Sequence, residues 1–282
     1  YFKRILKVPY AKIKIEDRDI ILGTSDFLPD VFPAYNLKKK NRGARWIQHI
    51  FHLIPHQRKI PYFGQKISFF FIKRLADVII VDNNLLKKEL SDYGFDEKII
   101  FVNPPGIDHN YFSSIKAGSK KYDGAFLAQM RISKGIFDLV EIWKMVCQAN
   151  PRAKLAMIGR GDEKIIKKLR ASIQQAKMAD NTDILGYLPS DEAFSIIKAS
   201  RVFVFPSREE GFGIAPLEAQ TLGLPVVAYN LPVFAEVFPA GMAKVALGDK
   251  EKFAQKIIFL LKNDHECKKL SDEAKNNSSR YD

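Results

Sequence analysis

The chain has 282 residues, a net charge of +13 from 45 Lys and Arg against 32 Asp and Glu, and a hydrophobic fraction of 46%. That length exceeds the usual single-domain range and favours two domains of ordinary globular composition. There is no run of eighteen apolar residues, the greasiest stretch (residues 67–72) is bracketed by Lys66 and Lys73, and a spanning helix is excluded. Two distant cysteines, Cys147 and Cys267, give no support to a disulfide framework or zinc site and read as core thiols.

Along the chain, short strand-like runs alternate with amphipathic helical stretches. Residues 1–18 open on a helix-like segment, and strands are expected at 19–22, 45–51, 78–81 and 99–102. Helical segments lie between them, such as 85–93, which stops at Gly94. The first 74 residues carry sixteen basic side chains and five acidic ones, a surplus of +11. Such asymmetry suits an anionic partner or a solvated basic surface. The turn cluster Asn103-Pro104-Pro105-Gly106 and a polar stretch through Ser119-Lys120-Lys121 place a domain boundary at 118/119.

A second series follows: strands at 124–128, 154–158, 183–185, 202–205 and 226–229, with helices at 136–149, 163–178, 191–199 and 214–222. Buried β-runs separated by helices of this length argue for parallel sheets covered on both faces. The second series forms a full Rossmann-like domain. The first supplies too few βα units for a comparable sheet, and with units of about 30 residues, roughly 60–100 residues are expected to be absent at the front.

Chemistry is most visible in Phe205-Pro206-Ser207-Arg208-Glu209-Glu210-Gly211-Phe212-Gly213-Ile214-Ala215-Pro216-Leu217-Glu218-Ala219. A strand ends, a glycine-bearing loop turns, and a helix starts near Pro216. Glycines let backbone approach a ligand, and the free N–H groups of a helix start form an anion site. The plain alternative is a tight strand-to-helix connection in which Glu218 merely favours the helix dipole.

Glu210, seven intervening residues and Glu218, within Glu-Gly-Phe-Gly-x-x-x-Leu-Glu-Ala, closely resemble the E-x7-E signature of the retaining family-4 glycosyltransferases. The resemblance continues in Phe126-Leu127-Ala128, Lys134-Gly135, Ile158-Gly159-Arg160-Gly161, Gly186-Tyr187-Leu188 and Gly106-Ile107-Asp108, and covers nearly the whole chain from about Asp19. It implies a GT-B fold, α/β with two Rossmann-like domains, here a partial acceptor-side domain (1–118) and a donor-binding domain (119–282).

It further implies that Glu218 accepts hydrogen bonds from the nucleotide's ribose, a task suited to an acceptor-only carboxylate. Glu210 holds the transferred sugar, and backbone at Gly211, Phe212, Gly213 and Ile214 holds phosphate or sugar. Gly159, Tyr187 and Leu188 line the base. Lys134 meets the diphosphate, where a fixed cation stabilises the leaving group's growing charge. The family usually carries an arginine five residues before this lysine. Here that position is Gln129, which brings no charge and no bidentate fork, and Arg131 is the candidate substitute. On the acceptor side, Trp46-Ile47-Gln48-His49-Ile50-Phe51-His52 offers two candidates for the family's histidine, His52 ahead of His49, with His56 a weaker third.

The implied activity is a metal-independent hexosyltransferase reaction without cofactor, from a UDP- or GDP-sugar to a glycan or lipid-linked acceptor. The competing class is a nucleotide-sugar-binding fragment or degenerate relative without turnover. Asp17-Arg18-Asp19 fits a metal-holding D-x-D pattern but precedes a strand instead of ending one, and no metal is expected. Lys164 stands where a third glycine would complete a dinucleotide fingerprint after Gly159-Arg160-Gly161. No nucleic-acid recognition motif accompanies the basic residues. Basic residues interleaved with Tyr62, Phe63, Ile67 and Phe69–Ile72 suggest a peripheral site on the inner membrane face of a cytoplasmic protein; otherwise Phe69–Ile72 are core residues of a helix with solvated lysines.

Overall fold

A computed structural model describes residues 13–119 and 122–282. The helix-like segment expected before residue 13, and Lys120 and Lys121 of the polar stretch, lie outside the described residues. The chain divides into two compact units, 1–104 and 105–282. The break therefore falls at the Pro104-Pro105 pair and not at 118/119. The residues after it are tied to the second unit, since the Ile107 N–H donates to the Tyr281 carbonyl (2.6 Å) and the Gly118 N–H to that of Ser195 (2.9 Å).

The first unit is a four-stranded parallel sheet in the order β1 (Ile20–Gly23), β2 (Arg45–Ile50), β3 (Val78–Val81), β4 (Ile100–Val102). Helix α1 (Leu28–Lys40) packs against α2 (Lys59–Leu75), and α3 (Asn84–Asp92) follows β3. Trp46, Ile50, Ile79 and Val81 from the strands meet Phe69 and Ile72 from α2 and Leu86 and Leu90 from α3 in one apolar core. Asn83 caps α3 by accepting the Leu86 N–H at 2.8 Å.

The second unit carries six parallel strands in the order β10-β9-β8-β5-β6-β7. These are β5 (Gly124–Leu127), β6 (Leu155–Ile158), β7 (Thr182–Gly186), β8 (Val202–Phe205), β9 (Val226–Tyr229) and β10 (Met242–Val245). Strands β6, β8 and β9 are buried at every position, as a parallel sheet covered on both faces requires. The intervening helices are α4 (His109–Ser114), α5 (Ile136–Ala149), α6 (Glu163–Gln175), α7 (Ser190–Lys198), α8 (Ile214–Thr221), α9 (Phe234–Val237), α10 (Lys250–Lys262) and α11 (Asp264–Ser278). The two cysteines are free and only partly buried, so they are not core thiols.

A lysine is buried in the first unit's interior. The Lys38 ammonium, 7% exposed, pairs with Asp77 at 2.8 Å and donates to the Ala44 (2.6 Å) and Arg42 (3.1 Å) carbonyls. Asp77 in turn accepts the Trp46 N–H at 2.7 Å, at the start of β2. Lys38 is thus a structural residue, whereas Lys39 and Lys40 are exposed. Replacing Lys38 by Ala leaves acceptors unpaired, and we expect a loss of about 2–4 kcal/mol, at the low end because Asp77 keeps solvent contact. Lys39→Ala should cost less than about 0.5 kcal/mol. Urea unfolding midpoints of the two variants check the contrast.

Candidate functional site

In the second unit the chain moves outward from β5 to β6 and β7, then returns to lay β8 on the other side of β5 before continuing to β9 and β10. The loops after β5 and β8 therefore leave the sheet side by side at a reversal of strand order. That reversal opens a crevice at the carboxyl ends of the strands, where open α/β sheets take ligands.

Two of the side chains singled out in the sequence meet there. Lys134 ends a one-turn 3-10 helix (Ile132–Lys134) after β5, and Glu210 lies in the loop after β8. Lys134 Nζ donates to Glu210 Oε1 at 2.5 Å, with side chains 24% and 10% exposed. The cation also lies 6.0 Å from the centroid of the Phe205 ring. This approach requires the two loops to touch. Gly135 adopts φ +70°, and a Cβ there would stand 1.8 Å from the Pro206 carbonyl oxygen, so only glycine fits. The Arg208 N–H donates to the Ser133 carbonyl at 2.8 Å.

Beneath the pair is a second tie. Asp138, in the first turn of α5, accepts the Arg208 Nε–H at 2.9 Å and the Tyr229 hydroxyl at 3.1 Å on the same oxygen. Tyr229 is fully buried at the end of β9. Burial and the neighbouring Asp138 push its hydroxyl well above its ordinary pKa. One buried carboxylate thus fixes the β8 loop to α5 and β9.

Helix α8 leaves that loop with Gly213 as its N-cap residue. Phe212 is buried and packs edge-on against Tyr281 (5.5 Å between centroids). Ile214 is exposed. Glu218, in the second turn of α8, is partly buried; its carboxylate makes no side-chain hydrogen bond among the described residues, and burial pushes its pKa up to about 7. Tyr111 of α4 feels the Glu218 charge and donates its hydroxyl to Asp191 at 2.5 Å.

At β6, Gly159 adopts φ +138°; a Cβ would fall 1.8 Å from the Ala128 carbonyl oxygen, and its N–H donates to the Gly186 carbonyl at 2.7 Å. The turns after β5, β6 and β7 are thereby drawn together. The Tyr187 ring is exposed and stacks under the Arg160 guanidinium at 3.9 Å, with Leu188 half-buried beside it in sequence. Gln129 and Arg131 are both exposed, and neither side chain has a hydrogen-bond partner among the described residues.

The first unit has its own cluster at the carboxyl ends of its strands. His49 Nε2 lies 2.7 Å from Asp82 Oδ1, under the stacked Phe51 ring at 4.1 Å. Gln65, buried on α2, donates to Asp26 Oδ2 (2.5 Å) and the His52 carbonyl (2.8 Å) and accepts the Ile54 N–H (2.9 Å). Burial raises the Asp26 carboxyl, opposed by the Gln65 hydrogen bond and by His52 and His49 nearby. The His52 ring has no hydrogen-bond partner among the described residues and is partly exposed, while His49 is committed to Asp82. His56 is exposed on the following turn. Asp17 and Asp19 sit at the turn before β1, where Asp19 accepts the Glu16 N–H.

Sequence reasoning missed Asp138, Tyr229, Asp82, Asp26 and Gln65. Asp138 lies four residues after Lys134 and Asp82 directly after β3. Polar residues at strand ends and first turns were the available signal.

The sequence pattern of the family Glycosyl transferases group 1 matches residues 109–277. The chain is 25% identical over 204 residues to poly(glycerol-phosphate) alpha-glucosyltransferase of Bacillus subtilis, covering 70% of this chain and 30% of that one. It is 27% identical over 173 residues to mannosylfructose-phosphate synthase of Agrobacterium fabrum, covering 55% and 38%. The chain thus spans well under half the length of these curated relatives. Among solved structures, Anabaena HepE in complex with UDP and glucose superposes with a TM-score of 0.83 at 15% identity, covering 98% of this chain and 76% of that one. A Staphylococcus aureus TarM variant in complex with UDP gives 0.75 at 20% identity, covering 98% and 56%. The fold is therefore GT-B, with two Rossmann-like sheets.

A carboxyl whose pKa is raised from 4.5 to about 7 costs folding free energy when it ionises. The Glu218 contribution is most favourable below about pH 4.5, declines as pH rises toward 7 and stays lost above it. Wild-type Tm should therefore fall relative to Glu218→Gln across that window, with the variant more stable at pH 8. Thermal melts at half-unit pH intervals check this.

Proposed function

This chain belongs to the Glycosyl transferases group 1 family, and on that premise we propose that it moves a sugar from a nucleoside-diphosphate sugar to an acceptor hydroxyl with retention at the anomeric carbon, as a family-4 enzyme. The observation that carries this reading is the Lys134–Glu210 contact at the strand-order reversal. It sets a cation beside a carboxylate at that reversal, the two charges that a diphosphate and its sugar would call for.

The chemistry follows from charge. When the glycosidic bond to the diphosphate breaks, negative charge grows on the leaving oxygen, and a cation already held in place stabilises it without reorganising solvent. Lys134 pairs with Glu210. A bound donor offers both groups better use: phosphate oxygens for the ammonium and sugar hydroxyls for the carboxylate. Glu218 would accept the ribose hydroxyls, the free N–H groups at the start of α8 would face phosphate or sugar, and Gly159, Tyr187 and Leu188 would flank the base. A uridine diphosphate sugar is the first donor to test, because similar structures hold UDP. On the acceptor side, His52 has the free ring that a glycan or lipid-linked acceptor would meet.

Gln129 favours a second reading, a module that binds nucleotide sugar without turnover. Its neutral amide supplies no charge to the diphosphate, and Arg131, exposed two residues on, is the only nearby substitute in that loop.

Turnover and titration decide between them. Lys134→Ala should lower kcat more than it raises KM, because the charge it meets grows in the transition state. Glu218→Ala should weaken UDP and the intact donor alike, by about 1.5–3 kcal/mol, whereas Glu210→Ala should weaken the intact donor more than UDP. Gln129→Arg should raise activity or leave it unchanged. Donor binding without any transfer by the full-length protein would establish the second reading.

A further inference from the structure

Helix α2 spans seventeen residues, Lys59–Leu75, and its two faces differ sharply. Gln65, Ser68, Phe69 and Ile72 are buried against the sheet, with Phe69 and Ile72 at 2% and 0% exposure. Ile60, Phe63, Ile67 and Phe70 are 87%, 60%, 49% and 55% exposed. Their spacing of three, four and three residues places them in one stripe. That stripe lies opposite the buried positions and points directly away from the sheet.

Basic side chains flank the stripe. Lys59, Lys66 and Arg74 are exposed on the same helix, with the Arg74 guanidinium 4.8 Å from the Phe70 ring centroid and the Lys66 ammonium 4.7 Å from that of Tyr62, whereas Lys73 donates to the Tyr93 carbonyl at 2.6 Å. Between Asp30 and Asp77 the chain holds ten basic residues and no acidic one. No helix among the described residues is long and apolar enough to cross a membrane.

We propose that the outer face of α2 is a docking surface for an anionic lipid bilayer, with Ile60, Phe63, Ile67 and Phe70 seated at the headgroup–acyl boundary and the flanking cations on acidic headgroups. Apolar residues in a stripe with cations beside them are what an in-plane interfacial helix needs, and the positive field draws it to acidic lipid. Two other occupants fit less well. A second copy related by a twofold axis would bring these cations against their own counterparts. Nucleic acid would use the charges and leave the apolar stripe in water.

The inference goes beyond the transferase reading and is scored without donor or acceptor. The experiment is co-sedimentation of the full chain with vesicles of equal phosphatidylglycerol and phosphatidylcholine, against phosphatidylcholine alone. Binding is expected only to the anionic vesicles and should weaken with added salt. The triple variant Phe63→Ser, Ile67→Ser, Phe70→Ser should bind about tenfold less, as should Lys59→Gln, Lys66→Gln, Arg74→Gln, which should also lose the salt dependence. Circular dichroism melts matching wild type establish that both variants fold. A single Ile67→Trp reporter, on a background where Trp46 and Trp143 are fully buried, should shift its emission to the blue with anionic vesicles. Absence of binding at low salt, equal binding by the serine variant, no Ile67→Trp shift, or a serine variant that changes only oligomeric state would each overturn the proposal.

Discussion

The constraint on which the second unit's site depends is the reversal of strand order between β5 and β8. Two loops leave the sheet as neighbours there, and their contact is close enough that a side chain at Gly135 could not be accommodated. Both loops bear charge, so bringing them together needs compensation. Asp138 provides it below, by taking Arg208 and Tyr229 on one oxygen, and the Lys134–Glu210 pair provides it at the mouth. The lower tie is anchored in the framework through Tyr229, which is fully buried. The upper one joins two loop side chains to each other alone.

The first unit solves a related problem with hydrogen bonds. The loop after β2 must leave the sheet and turn into α2, and the buried amide of Gln65 satisfies groups on both sides of that turn, reaching Asp26, the His52 carbonyl and the Ile54 N–H. The consequence is a polar cluster at the carboxyl ends of β1, β2 and β3, in which His49 is oriented by Asp82 and His52 keeps an unengaged ring. Buried polar groups with full partnership fix geometry, and here they fix where two histidines stand without yet deciding between them.

Much of this was legible in the sequence, for identifiable reasons. Strands β8 and β9 coincide with the expected 202–205 and 226–229 because Val-Phe-Val-Phe and Val-Val-Ala-Tyr are buried on both faces and bounded by turn residues. Helix α5 coincides with 136–149 because Gly135 and Asn150 punctuate an apolar stripe. Helices α1 and α2 were expected between the strands but without bounds, because Pro29 and Pro33 weaken the pattern of α1 and the run Phe69-Phe70-Phe71-Ile72 masks a 3.6-residue period in α2. Strand β10 was missed because Lys244 interrupts it, and α11 because few of its residues are buried. In the site, Lys134, Glu210 and Glu218 were singled out through the family resemblance that their motifs carry. Asp138, 70 residues from Arg208 and 91 from Tyr229, was not, since its role exists only once the sheet order is known.

The central claim is that the loops after β5 and β8 form one donor-binding surface. Hydrogen–deuterium exchange with and without a bound UDP-sugar tests it most directly, because it reads each loop separately and needs no assumption about the acceptor. The account expects slowed exchange in residues 129–135 and in 206–218 together, on addition of the same ligand. Protection of only one of these segments, or protection confined to other parts of the chain, would contradict it.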